Sequence, residues 1–248
     1  MNKYVLHTLC EIKEKYEPVK SKNEEILAKA YEYVEKSLES DKHSMRNWLY
    51  AFSLAARSCA RETVMYRRIK KELVSIGLYK DDEIAVELND FLTMGKKAKA
   101  IIGPIDYRAN IKKEDLENVE LIWSDASFLA LDDAKHLKSL KCVMGNLVVR
   151  DLNVPIPLEV TGGTADLSFV TNLTMLPNYK VALGDVVLDH YSKELPLTDV
   201  LGSINIVGQN NEFEPEDFAN LTTIENGVYY KTEDGHVFHQ LPKQKIYK

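Results

Sequence analysis

This sequence lacks the common motifs that indicate an enzyme or a cofactor site. It contains no G-x-S-x-G nucleophile elbow, no G-x-x-x-x-G-K-[ST] phosphate loop and no G-x-G-x-x-G dinucleotide fingerprint. His236-x-x-His239 and the group Asp132, Asp133 and His136 do not have the ligand spacing of a closed zinc site. The sequence therefore predicts no metal and no cofactor, and it leans against catalysis.

Cysteine is scarce and long apolar runs are missing. The three cysteines, Cys10, Cys59 and Cys142, are an odd number without a C-x-x-C pair, which argues against a disulfide framework. The opening stretch MNKYVLHTLCEIKEKYEP holds only a short, interrupted apolar run, and no span of about 20 apolar residues follows it. These features predict a cytoplasmic protein that does not enter a membrane.

Charge is distributed unevenly along the chain. Residues 1–103 carry 19 Lys and Arg against 16 Asp and Glu, whereas residues 104–248 carry 13 against 22. The balances are +3 and −9, for a net charge of −6. Such a division predicts two regions with different surfaces, and the acidic total argues against nonspecific binding of nucleic acid.

Apolar residues recur at helical spacing through the first hundred residues. The pattern predicts an opening helix that ends before Pro18, a second helix from Ser21 and a third over Ser44–Ile76. A fourth helix is predicted to begin near Asp81 and end near Gly95. Gly103-Pro104 then marks a predicted domain boundary.

Beyond residue 103 the pattern changes to strand-like alternation, broken at intervals by a small residue and a polar one. Examples are SLKCVM-GN-LVVRDL and YKVAL-GD-VVLDHY. The first residues of these steps are Ser124, Gly145, Gly162, Gly184, Gly202 and Gly227. A return about every 20 residues predicts a β-solenoid whose corners need glycine, because a larger side chain would collide with the next coil. Irregular antiparallel strands are the alternative.

The predicted fold class is thus α+β with segregated parts: an N-terminal helical bundle over residues 1–103, followed by a β-solenoid over residues 104–248. The run Leu137, Leu140, Val143, Gly145, Leu147 and Val149 resembles the leucine-rich β-solenoid repeats of receptor L domains and related bacterial leucine-rich proteins. The resemblance extends over residues 137–229. It implies a ligand-binding or scaffolding role.

The third predicted helix has a strongly basic side. Seven basic residues and one acidic residue lie between positions 46 and 71, and at 100° per residue six of the seven fall within an arc of about 120°. These six are Arg46, Arg57, Arg61, Arg67, Arg68 and Lys71. The arc predicts a partner-binding face, with an ordinary solvated helix surface as the alternative.

The leading functional hypothesis is a macromolecular interaction module that binds an acidic protein surface. The sequence does not indicate an oligomeric state. One alternative is a nucleic-acid-binding protein that uses the basic helix. Another is a polysaccharide-acting hydrolase or lyase, in which corner carboxylates such as Asp125, Asp185 and Asp189 would serve as acid and base.

Overall fold

A computed structural model describes residues 7–9, 11–13, 65–107, 110–132, 134–208, 213–232 and 235–239. The chain divides into two compact units, Met1–Asp81 and Asp82–Lys248. The described helical residues of the first unit are 7–9, 11–13 and 65–75. Tyr66, Ile69 and Leu73 are buried, so the segment 65–75 has one apolar side, as spacings of three and four residues require. Across the described parts of the chain, no helix has the length and apolar character that crossing a membrane would need.

The second unit is built from short strands in two sheets. Sheet A contains β1 (Ile84–Ala85), β2 (Ala100–Ile101), β4 (Leu121–Ile122), β6 (Cys142–Val143), β8 (Val160–Thr161), β10 (Val181–Ala182), β12 (Asp199–Val200) and β14 (Thr223–Ile224). Sheet B contains β3 (Ile105–Asp106), β5 (Ala126–Ser127), β7 (Leu147–Arg150), β9 (Ala165–Phe169), β11 (Val186–Leu188), β13 (Ile204–Ile206), β15 (Val228–Thr232) and β16 (Gly235–His239). All neighbouring strands pair in parallel except β15 and β16, which are antiparallel.

The chain alternates between the sheets in a solenoid-like path. After a strand of sheet A it makes a three-residue corner, forms a strand of sheet B, and returns through a longer arc to the next strand of sheet A. Seven such coils follow one another in the described residues. Their corners are residues 102–104, 123–125, 144–146, 162–164, 183–185, 201–203 and 225–227.

Helical structure in this unit is confined to short pieces. The one α-helix among its described residues, Leu88–Met94, ends at Gly95, whose N–H donates to the carbonyl of Phe91. The 3-10 turns are Asp81–Glu83, Gly95–Lys97, Lys113–Asn118, Ala134–Leu137, Leu173–Met175 and Pro215–Phe218. Most of them lie in arcs, where they carry the chain from sheet B back to sheet A.

The core lies between the two sheets. Side chains alternate between the two faces of each strand. A coil whose sheet B strand has three or more residues therefore points one residue of sheet A and two of sheet B into the core. In the third coil these are Val143, Leu147 and Val149, all buried. Thr161 takes the inward position of the next coil, and its hydroxyl lies 2.7 Å from the hydroxyl of the fully buried Tyr179. This contact satisfies both polar groups, while burial raises the pKa of Tyr179 above its usual range.

The predicted α+β class with an N-terminal helical bundle is wrong, because residues 84–101 supply two strands to sheet A. The fourth predicted helix, Asp81–Gly95, instead contains a 3-10 turn, strand β1 and a seven-residue helix. Where a strand and a short helix follow each other closely, their apolar residues can have the same spacing in the sequence as those of one longer helix. The second predicted helix, and residues 44–64 of the third, lie outside the described residues.

The coils also begin earlier than predicted. Gly103, interpreted from the sequence as part of a domain boundary, is the middle residue of the first corner. The first coil therefore includes residues on both sides of position 103.

Candidate interaction surfaces

The corners bring small residues of successive coils into direct backbone contact. A Cβ atom on Gly145 would lie 2.4 Å from the carbonyl carbon of Ser124, and one on Gly184 would lie 2.6 Å from that of Gly163. A Cβ on Gly202 would lie 2.5 Å from the carbonyl carbon of Gly184. These residues therefore form one column of close backbone approach.

Two predicted corner residues sit beside the middle of their corner. Gly162 is the first residue of its corner, and a Cβ there would lie 2.3 Å from the carbonyl oxygen of Met144. Gly227 is the third residue of its corner and has φ of +87°. The requirement at Gly162 is space, whereas at Gly227 it is the left-handed backbone.

Polar side chains next to this glycine column hold successive corners together. Asp125 Oδ1 accepts the N–H of Asn146 at 2.7 Å, and Asn146 Oδ1 accepts the N–H of Thr164 at 2.8 Å. Asp185 Oδ1 accepts the N–H of Ser203 at 2.7 Å. The carboxylates of Asp125 and Asp185 thus stabilise turns between coils.

A ladder of alternating charges, not predicted from the sequence, runs along the start of the sheet A strands. The residue before each of the first six strands is Glu83, Lys99, Glu120, Lys141, Glu159 and Lys180. Lys99 Nζ lies 2.8 Å from Glu83, and Lys141 Nζ lies 2.8 Å from Glu120. The hydrogen bond from Lys99 to Glu83 raises the pKa of the lysine. The signal was present as the recurring triplets EIA, KAI, ELI, KCV, EVT and KVA.

The clusters considered as metal ligands have other contacts. Asp132 pairs with Lys113 at 3.1 Å, and Asp133 lies outside the described residues. His136 is buried, with Nδ1 3.2 Å from Glu117, and Lys138 Nζ lies 2.7 Å from the same carboxylate. His236 and His239 lie on β16. No group of three potential ligands that could hold a metal occurs among the described residues.

The basic helix face is described only in part. Arg67, Arg68 and Lys71 are exposed on the helical segment 65–75, and none of the three forms an ion pair among the residues that the structure describes. Arg46, Arg57 and Arg61 lie outside the described residues. Arg67, Arg68 and Lys71 thus make one side of this segment positively charged.

The outer face of sheet B presents apolar side chains in neighbouring coils. One column of side chains points outward from the strand centres. Its apolar members are half-buried Val148 and Val187 and exposed Tyr229, and they alternate with Asp166 and Asn205. Beside it, at the ends of the strands, Leu129, Phe169 and Val207 are 39%, 50% and 53% exposed. We call this set of side chains the sheet B face. Such grouping of exposed apolar side chains is typical of a binding surface.

A groove continues the sheet B face over the first three coils. Its volume is about 610 Å³, and its apolar walls come from Leu88, Pro104, Ile105 and Val148. Asp106, Asn110, Asp125, Ser127 and Asn146 supply its polar groups. Asp106 and Asp125 are the ionisable residues of its described lining, which contains no cation.

These features define a solenoid-like protein unit with one open, partly apolar sheet surface. Comparison with protein families, with curated protein sequences and with solved structures finds no match to the chain.

Proposed function

We propose that this protein is a macromolecular interaction module that binds another protein through the sheet B face. The observation that carries the proposal is the exposure of Phe169, Val207 and Tyr229, by 43% or more each, on one surface of a hydrogen-bonded sheet. Large apolar side chains cost free energy when they remain in water, and a protein partner that covers them recovers this energy. A rigid sheet also loses little conformational freedom on binding.

The proposal includes a reducing, cytoplasmic setting. Cys142 is buried within β6, as expected for a small core residue.

The test replaces apolar residues of the sheet B face without disturbing the core. The double variant Phe169→Ser/Val207→Ser should lose the partner protein recovered from a host extract, because both side chains are exposed. A matched control, Ile76→Ser/Leu201→Ser, changes side chains that are 40% and 41% exposed outside this face. Equal recovery of the partner by parent, face variant and control would contradict the proposal.

A second candidate is binding of an acidic partner, a protein surface or a nucleic acid, by the basic helix. It is supported by the exposure of Arg67, Arg68 and Lys71 without ion pairs among the described residues. The triple variant Arg67→Glu/Arg68→Glu/Lys71→Glu should then abolish binding. Affinity for nucleic acid should fall by orders of magnitude between about 50 and 200 mM salt, whereas affinity for a protein with an apolar interface should fall much less. Unchanged binding by the triple variant would exclude this candidate.

A further inference from the structure

We infer that the sheet B face recognises a basic polypeptide segment, one that combines Lys or Arg with aliphatic side chains. This inference rests on the proposed function and adds the chemistry of the partner. It depends on the charges that surround the apolar side chains of the face and on the lining of the adjoining groove.

The charged groups of this surface are predominantly acidic. Four carboxylates lie on the face or in the groove: Asp106, Asp125, Asp166 and Asp189. Arg150 and Lys231 are the cations on the described part of the same surface, and His190 Nδ1 lies 3.8 Å from Asp189 Oδ2. One guanidinium nitrogen of Arg150 donates to the carbonyl of Leu129 at 2.8 Å, so part of its hydrogen-bonding capacity is already used within the sheet.

Asp125 and Asp166 have definite local hydrogen bonds but no cation beside them among the described residues. Asp125 Oδ1 accepts the N–H of Asn146, and Asp166 Oδ1 accepts the N–H and hydroxyl of Ser168 at 3.1 and 2.6 Å. These contacts fix the orientation of the carboxylates and leave their negative charge without a neutralising partner in the part of the chain that the structure describes. Preoriented acceptors of this kind suit an incoming Lys or Arg.

The groove fits the shape of such a side chain. Its acidic group Asp125 lies beside the apolar walls formed by Leu88, Pro104 and Val148. Lys and Arg bury an aliphatic stem and keep a charged head among polar groups. One basic side chain of the partner can therefore place its stem along the walls and its head at the carboxylate of Asp125.

The net charge of the unit acts in the same direction over longer distances. Residues 82–248 carry 16 Lys and Arg against 26 Asp and Glu, a balance of −10. A field of this sign attracts basic segments and repels nucleic acid and acidic peptides. The sheet B face and the basic helix thus have opposite electrostatic preferences.

The experiment selects ligands without assuming their sequence. A display library of random dodecapeptides is panned against the full chain, and the enriched peptides are measured for affinity to the parent and to variants. We expect enrichment of Lys, Arg and aliphatic residues. We also expect affinity about tenfold weaker for Asp125→Asn/Asp166→Asn, which removes two charges while it preserves side-chain shape. The matched control Glu194→Gln/Glu216→Gln removes two exposed carboxylates from arcs and should bind like the parent.

The outcomes separate this inference from the proposed function. Neutral or acidic peptides that lose binding to Phe169→Ser/Val207→Ser would overturn the basic partner and retain the sheet B face as a protein-binding surface. Peptides that bind this face variant as tightly as the parent would overturn both. Enrichment of no peptide, or equal weakening by the arc control, would also overturn the basic-segment inference.

Discussion

Replacement of Gly145 by alanine should destabilise the stack of coils through crowding alone. The added Cβ would lie 2.4 Å from the carbonyl carbon of Ser124 and 2.5 Å from the nitrogen of Asp125. Ordinary contact between such atoms requires roughly 3.5 Å, so the two corners must separate by about 1 Å. Neither colliding atom belongs to a side chain that can rotate away.

The size of this loss of stability depends on the hydrogen bonds between neighbouring corners. Asn146 donates to Asp125 Oδ1 at 2.7 Å, Ala126 donates to the carbonyl of Asn146 at 2.7 Å, and Gly163 donates to the carbonyl of Gly145 at 2.9 Å. A separation of about 1 Å between corners 123–125 and 144–146 would take the first two contacts outside hydrogen-bonding distance, and it would crowd Gly145 against Gly163 in the next corner. Crowding and weakened hydrogen bonds together should cost about 2–3 kcal/mol, after allowance for the lower unfolded-state entropy of alanine.

The assay is amide hydrogen exchange measured by mass spectrometry, which assigns the loss of stability to particular strands. In Gly145→Ala, amides of β6, β7 and β8 should exchange on the order of 30 to 150 times faster than in the parent, as 2–3 kcal/mol requires. Gly77→Ala is the comparison, because its Cβ would meet nothing within 4 Å although φ is +71°. That variant should lose only about 1 kcal/mol, from backbone strain. Exchange rates in Gly145→Ala within about threefold of the parent would refute the crowding argument.

Three further predictions concern buried and charged contacts. Thr161→Val should destabilise the second unit by about 1–3 kcal/mol in urea denaturation, because it leaves the buried Tyr179 hydroxyl without its partner. Thr161→Ser should retain most of the stability. Equal losses of stability in the two variants would count against this account. Reversal of either member of the Glu83–Lys99 pair should lower the melting temperature by placing like charges together, and the exchanged pair Glu83→Lys/Lys99→Glu should recover part of the loss. The hydrogen bond from Lys138 lowers the pKa of Glu117 below 4.5, so its stabilising contribution is present above pH 4.5 and disappears as pH falls through the folded-state pKa. The stability difference between parent and Glu117→Gln should therefore shrink on acidification, and a constant difference from pH 6 to pH 3 would contradict the prediction.

The coil repeat could be predicted from the sequence because close approach of two backbones requires glycine, and these glycines recur along the chain. Gly145, Gly184 and Gly202 are glycines because the preceding corner occupies the space that a side chain would need. The predicted start of the coils was too late in the chain, because Gly103-Pro104 also has the composition of a linker. A glycine in a corner and a glycine in a linker differ in their surroundings, which a local sequence pattern does not contain.

The charge ladder and the sheet B face were missed for a different reason. Glu83 and Lys99 are 16 positions apart in the chain, and their contact exists only because β1 and β2 pair in register. Likewise, Val148 and Val187 belong to one surface only after the strands between them are aligned. Side chains with long sequence separation reveal a surface only when the register is known.

The constant corner length has a consequence for how this architecture can change. Every corner has three residues, whereas the arcs range from nine residues at 151–159 to 16 residues at 207–222. Variation in chain length is therefore accommodated on one side of the stack, where an added loop need not alter the pairing of either sheet. New segments, whether acquired in evolution or grafted by design, can be placed in the arcs while the corner column and the sheet B face keep their geometry.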